Sequence, residues 1–175
     1  ASFEAEPEID EDAASHLGNA VRKAVAWSRL HQELAIASDG GLAIPALGQN
    51  WTSLVTRRAT GGDASDEEHA RRLLRRMRDL HGAGRSAHWV EAIAVARNGS
   101  LLGAWEASGL HGTIAEDYVA PDGGTGGFWV SGLWQRSDGR RYWALTPDEL
   151  AAIGDPWDQL RVNVRGLLER IASVR

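Results

Sequence analysis

Asp39 sits in the run Ala35-Ile36-Ala37-Ser38-Asp39-Gly40-Gly41-Leu42, where a short apolar strand leads into an acid and a Gly-Gly turn. An acid at the mouth of a strand, on a glycine-loosened loop, is where α/β proteins place metal- or phosphate-handling chemistry. A second glycine-rich segment, Pro121-Asp122-Gly123-Gly124-Thr125-Gly126-Gly127, lacks the lysine and serine of a P-loop and does not complete a dinucleotide fingerprint. Six histidines (16, 31, 69, 81, 88 and 111) show neither His-x-His nor His-x-x-x-His spacing, so they read as scattered structural or surface residues. Arg71, Arg72, Arg75, Arg76 and Arg78 are interleaved with an apolar stripe of Leu73, Leu74, Met77 and Leu80, which predicts a solvated, salt-bridged helix face.

The elements that must position these groups follow from periodicity and punctuation. Six acids within residues 3–12 predict an acidic mobile arm over 1–12, followed by a single domain over 13–175. Leu17, Val21, Ala24, Val25 and Leu30 keep helical spacing from Ala13 to about Gln32, with Ser15 as N-cap. Leu34 to Ala37 reads as a strand, and Leu42 to Leu47 as a short apolar piece broken at Pro45. Ser65-Asp66-Glu67-Glu68 opens a helix running to about Leu80. His88 to Arg97 and Leu101 to about Ile114 are strands joined by the two-residue turn signal Asn98-Gly99. Phe128 to Gln135 and Arg140 to Leu145 are further strand candidates. Thr146 caps a helix through Ile153, and Asp155-Pro156 opens the last helix, through about Val174.

The sum is a mixed α/β fold with a bent central sheet and flanking helices. With 175 residues, 43% of them hydrophobic, the chain has ample core material. A net charge of −5 argues against sequence-independent nucleic-acid binding. No apolar run reaches the ~18 residues of a membrane span. The absence of cysteine fits a reducing compartment, so the expected location is cytoplasmic. Eight tryptophans against two Phe and two Tyr predict that most indoles are core or interface packing.

Several motifs in order, namely Gly18-Asn19-Ala20-Val21-Arg22-Lys23-Ala24, Ala35 to Leu42, Ala46-Leu47-Gly48, Arg57, Gly61, Asp66-Glu67-Glu68, Gly109 to Ala115, Gly124 to Phe128 and Ala144 to Ile153, resemble the inosine triphosphate pyrophosphatase family over roughly residues 8–172. The resemblance implies two lobes around a cleft, a homodimer, and magnesium-dependent hydrolysis of ITP, dITP and XTP to monophosphate and pyrophosphate. It also implies a role for Asp39 in water activation and magnesium binding, and substrate-binding roles for Ser38, Arg57, Phe128 and Trp129.

The same comparison marks departures. The family's acidic pair is Ser38-Asp39 here, and its Glu-Asn-Ala is Gly18-Asn19-Ala20, with Glu11 or Asp12 as the nearest substitutes. An acid of the family's Gly-Phe-Gly-Tyr-Asp-Pro strand is Ser131, and the lysine and Ser-His-Arg that read the purine are Leu150 and Gly154-Asp155-Pro156. The family's opening strand and Gly-Asn-x-x-Lys loop have no counterpart before residue 13. The expectation is therefore a degenerate, non-catalytic scaffold with a nucleotide-binding or assembly role, in which Trp129, Trp134 and Trp143 fill the old pocket or face a partner. The alternative is a magnesium-dependent pyrophosphatase that still uses Asp39.

Overall fold

A computed structural model describes residues 9–56, 60–61 and 64–173. The elements are α1 (His16–His31), β1 (Leu34–Ala43), α2 (Asp66–Arg76), β2 (Ser86–Arg97), β3 (Ser100–Ile114), β4 (Trp134–Gln135), α3 (Pro147–Ala152) and α4 (Pro156–Ser173), with short 3-10 turns between them. The architecture is mixed α/β: a four-stranded sheet in the order β1-β2-β3-β4 with flanking helices. Asn98 and Gly99 both adopt positive φ (52° and 79°), as a two-residue hairpin turn requires, and they join β2 to β3. β3 and β4 run antiparallel with Thr113 opposite Gln135 and Ile114 opposite Trp134.

The chain divides into two compact units. The first comprises residues 1–40, 90–108 and 156–175. Here Ala92, Ala94 and Ala96 of β2 meet Ala20 and Ala24 of α1, small side chains on both sides that bring helix and strand close. The intervening Ile93 points the other way, with Ala107, to Leu160 of α4 and the partly buried Trp105 and Trp157. Alternation along β2 thus assigns one sheet face to α1 and the other to α4. Ser15 caps α1 by accepting from Gly18 N at 3.1 Å, and Glu106 of β3 supplies the acid its first turn lacks, accepting from Leu17 N at 3.3 Å.

The second unit comprises residues 41–89 and 109–155. Its core gathers Leu42, Trp51, Leu73, Met77, Ile114, Trp129, Leu133 and Trp134. Ser65 caps α2 by accepting from Glu68 N, and Arg71 and Arg72 pair with Glu67 and Glu68 at 2.9 and 2.8 Å, so these two arginines are salt-bridged within their own helix. The buried Arg85 donates to the carbonyls of Met77, Leu80, Ile114 and Ala115, tying the end of the α2 segment to the end of β3. Thr146 and Glu149 form a capping box on α3. Trp51, Trp129 and Trp134 are buried, whereas Trp143 is exposed and donates to Val119 O.

Four expectations need correction. Gly40-Gly41 is no turn: β1 runs straight through it to Ala43, and neither glycine has positive φ. Both glycines serve close approach. A Cβ on Gly40 would lie 2.6 Å from Glu91 Cδ, and one on Gly41 2.8 Å from the Ser53 carbonyl carbon. The Phe128–Gln135 run is mostly a 3-10 turn, Trp129–Gly132, with only Trp134-Gln135 in strand. All four turn residues are buried, so the apolar run reflects full enclosure and carries no strand alternation. In Arg140–Leu145 only Arg141 bridges to Gln135; Tyr142–Ala144 turns away as a 3-10 segment, and the Tyr142 ring packs edge-on to Phe128 and Trp134. Pro45–Asn50, within and beyond the expected apolar piece, is likewise 3-10.

Candidate functional site

Asp39 lies on β1 facing α1, and three side chains from one face of that helix converge on it. His16, Asn19 and Lys23 stand at i, i+3 and i+7, the spacing that places residues on one helix face. His16 Nδ1 lies 2.6 Å from Asp39 Oδ2, Asn19 Nδ2 donates to the same oxygen at 3.3 Å, and Lys23 Nζ donates to Oδ1 at 2.8 Å. An ionised carboxylate only accepts, so the His16 proton is on Nδ1. Asn19 is used at both ends, since its Oδ1 accepts from Ala13 N at 3.0 Å.

The pair is shielded, with the Asp39 side chain 11% and the Lys23 side chain 19% exposed. Burial works against ionisation of Asp39. Donation by His16, Lys23 and Asn19 together with the Lys23 charge outweighs it, holding the carboxyl below its ordinary value. For Lys23, burial is likewise outweighed by Asp39 and Glu11, which hold the ammonium above its ordinary value. The acids next to α1 are also engaged: Glu11 meets Lys23 at 3.0 Å, and Asp12 pairs with Arg22. Of the expected arm, residues 1–8 lie outside the described residues.

A second acid, Glu91, is buried at 5% exposure, with its carboxylate against Gly40. Gly40 follows Asp39 on β1, so Glu91 lies toward the opposite sheet face and adds no ligand to the Asp39 cluster.

The residues do not fit a magnesium ion at Asp39. Both carboxylate oxygens carry donors, and the nearest cation is an ammonium of the chain itself. Gly18 supplies no ligand, and its Cβ vector ends 2.8 Å from Ala13 Cβ, which leaves no path for a longer side chain. Among the described residues no group of three or more His, Cys, Asp or Glu is arranged to hold a metal. What this arrangement does is neutralise an acid and lock a helix to a strand.

The other expected site residues fall as follows. Ser38 borders a cavity of about 420 Å³ within the first unit, together with Lys23, Trp27, His31 and the start of β1. Phe128 is half-buried in the second unit, edge-on to Trp89 and to Tyr142, each at 5.2 Å between ring centres. Trp129 is buried and stacks on His69 at 5.6 Å. Arg57 lies outside the described residues. Sequence reasoning missed His16 and Lys23 as partners of Asp39; their spacing with Asn19 on an amphipathic helix was the available signal.

A mixed α/β chain with an acid on a strand held by the first helix defines the class, and comparison with known proteins gives the family. The model of the Ham1 family matches residues 1–153. A dITP/XTP pyrophosphatase from Anaeromyxobacter sp. (strain Fw109-5) is 32% identical over 194 residues, covering 95% of this chain and 82% of that protein. Among solved structures, a HAM1 protein from Coxiella burnetii superposes with a TM-score of 0.73 at 26% identity, covering 91% of this chain and 81% of the other. A nucleoside-triphosphatase, dITP/XTP pyrophosphatase, from Mycobacterium abscessus gives 0.64 at 25% identity, covering 100% and 82%. The chain belongs to the Ham1 family, the inosine triphosphate pyrophosphatase-like nucleotide pyrophosphatases.

Proposed function

We propose that this chain is a non-catalytic member of the Ham1 family, keeping the nucleotide-pyrophosphatase scaffold for nucleotide binding or assembly without turning nucleotides over. The observation that supports this reading is the internal neutralisation of Asp39 by Lys23, His16 and Asn19. Removing one transition-state-stabilising group costs about 10²–10³ in rate, and groups acting as a unit fail together. Here Ser38, Gly18, Ser131 and Gly154-Asp155-Pro156 stand where the resemblance implies acids and base-reading residues. A cytoplasmic homodimer is the setting this reading adopts. Among the described residues no helix is long and apolar enough to cross a membrane.

The test is pyrophosphate release from ITP, dITP and XTP with magnesium. The expected result is a rate equal to the no-protein control, and release above control that disappears in Asp39→Ala overturns the reading. Nucleotide-dependent thermal shifts then separate binding from pure assembly, because a ligand of the folded state raises Tm. The second reading, a working magnesium-dependent pyrophosphatase using Asp39, draws on the 32% identity to the Anaeromyxobacter dITP/XTP pyrophosphatase over 95% of this chain.

A further inference from the structure

The second unit contains a cavity of about 510 Å³ whose floor is the β2–β3 hairpin. Ser86 and His88 are two apart on β2, and His111 and Thr113 two apart on β3, so each pair shares a face. All four line this cavity, and the two imidazoles meet with ring centres 5.1 Å apart and planes inclined by 21°. Neither ring has a hydrogen bond or a carboxylate partner among the described residues.

The backbone beside them is strained. Leu110, immediately before His111, has φ 51°, a left-handed conformation that side chains other than glycine seldom adopt. Two bonds hold it there: Leu110 N donates to Gly154 O at 3.1 Å, and Trp134 Nε1 donates to Leu110 O at 2.8 Å. Such a residue interrupts the regular pleat of β3 and re-aims the side chain that follows. Gly112 then admits the adjoining chain, because a Cβ there would lie 2.5 Å from Gln135 O.

We propose that His88 and His111 form a two-histidine site for a divalent transition-metal ion of the imidazole-preferring kind, nickel, copper or zinc. The spacing suits it. A metal–nitrogen bond of about 2.0–2.1 Å plus roughly 1.1 Å from nitrogen to ring centre puts each ring centre about 3.2 Å from the ion, so two arms at 90–109° span about 4.5–5.2 Å. The observed separation is 5.1 Å. The rings stand stacked with planes inclined by 21°, so chelation requires each imidazole to turn about its Cβ–Cγ bond, a torsion that is broad for histidine. Arg136 at the cavity wall is the nearby cation, and it is engaged by Asp138 and by Glu149 at 3.4 Å. The remaining coordination positions fall to water. The proposal is independent of Asp39 and of whether nucleotides are hydrolysed.

The experiment is Ni²⁺ titration of the full chain, with any affinity tag removed, by calorimetry and by proton–carbon NMR of the histidine rings. The expected result is one ion per chain with micromolar Kd, selective broadening of the His88 and His111 resonances, and at least tenfold weaker binding in His111→Asn. His111 is exposed, so that substitution leaves the fold intact; the broadening pattern in the unaltered chain serves as the second measurement. Absence of binding, broadening centred on other histidines, or undiminished affinity in His111→Asn overturns the site.

Discussion

Replacing Asp39 by asparagine separates two roles for this acid, because they predict stability changes of opposite sign. A carboxylate kept for catalysis or for a metal is held at a cost to the fold, and neutralising it leaves stability unchanged or raises it. A carboxylate that serves as the counter-ion of a shielded lysine does the reverse. Removing one partner of a fully buried ion pair costs about 3–5 kcal/mol, and a hydrogen bond to a charged group contributes about 1.5–3. Asp39 and Lys23 are 11% and 19% exposed, and Lys23 keeps Glu11 as a second partner. Solvent screening and that remaining pair reduce the expected loss for Asp39→Asn to about 2–3 kcal/mol.

Urea unfolding reads this directly: at an m-value of about 2–3 kcal/mol per molar, the midpoint falls by about 1 M with m unchanged. Lys23→Met and the double variant complete a cycle, with a coupling of about 1 kcal/mol or more expected for residues in contact. The pH dependence supplies an independent sign. The folded-state value of Asp39 is depressed, so its stabilisation is present above the ordinary carboxylate pKa of ~3.9 and is lost as pH falls through the lower folded value. Asp39→Asn flattens that part of the profile. An Asp39→Asn chain as stable as the original, or more stable, refutes the counter-ion reasoning.

Two further outcomes rest on packing. Gly40→Ala drives a methyl into the Glu91 carboxylate and destabilises by about 1–3 kcal/mol in chemical denaturation; in a Glu91→Ala background most of that loss disappears, and an additive result refutes the contact. Arg85→Met leaves four carbonyls without their shared donor and costs about 3 kcal/mol or more, read as a fall in Tm, with unchanged Tm as the refuting result.

What was legible in the sequence is what local chemistry decides. Ser15, Ser65 and Thr146 mark their helix starts because a hydroxyl cap acts on amides two or three residues away. Asn98-Gly99 makes its turn because both residues tolerate positive φ. Gly40-Gly41 misled because the demand for glycine came from partners distant in the chain, Glu91 and Ser53, and a close approach leaves the same letters as a turn. His88 and His111 were invisible as a pair for the same reason: no short spacing joins them, and a hairpin with a strained residue does.

The Asp39 cluster also bears on which cation this acid holds. At an effective dielectric near 20, unit charges about 4 Å apart interact by roughly 4 kcal/mol, so a divalent ion on Asp39 that close to Lys23 Nζ would meet about 8 kcal/mol of repulsion. A second or third carboxylate would offset that, but positions 18 and 38 carry glycine and serine, and Glu91 lies toward the other sheet face. Glu11 lies on the far side of the balance as well, bound to Lys23 itself. With those acids withheld, the lysine is the cheaper cation, because it arrives covalently attached to a helix that must in any case pack on β1. Asp39 then has a structural role that needs no substrate: it neutralises Lys23 and orients His16 and Asn19. The glycine at 18, the serine at 38 and the pairing of Asp39 with Lys23 fit one electrostatic balance.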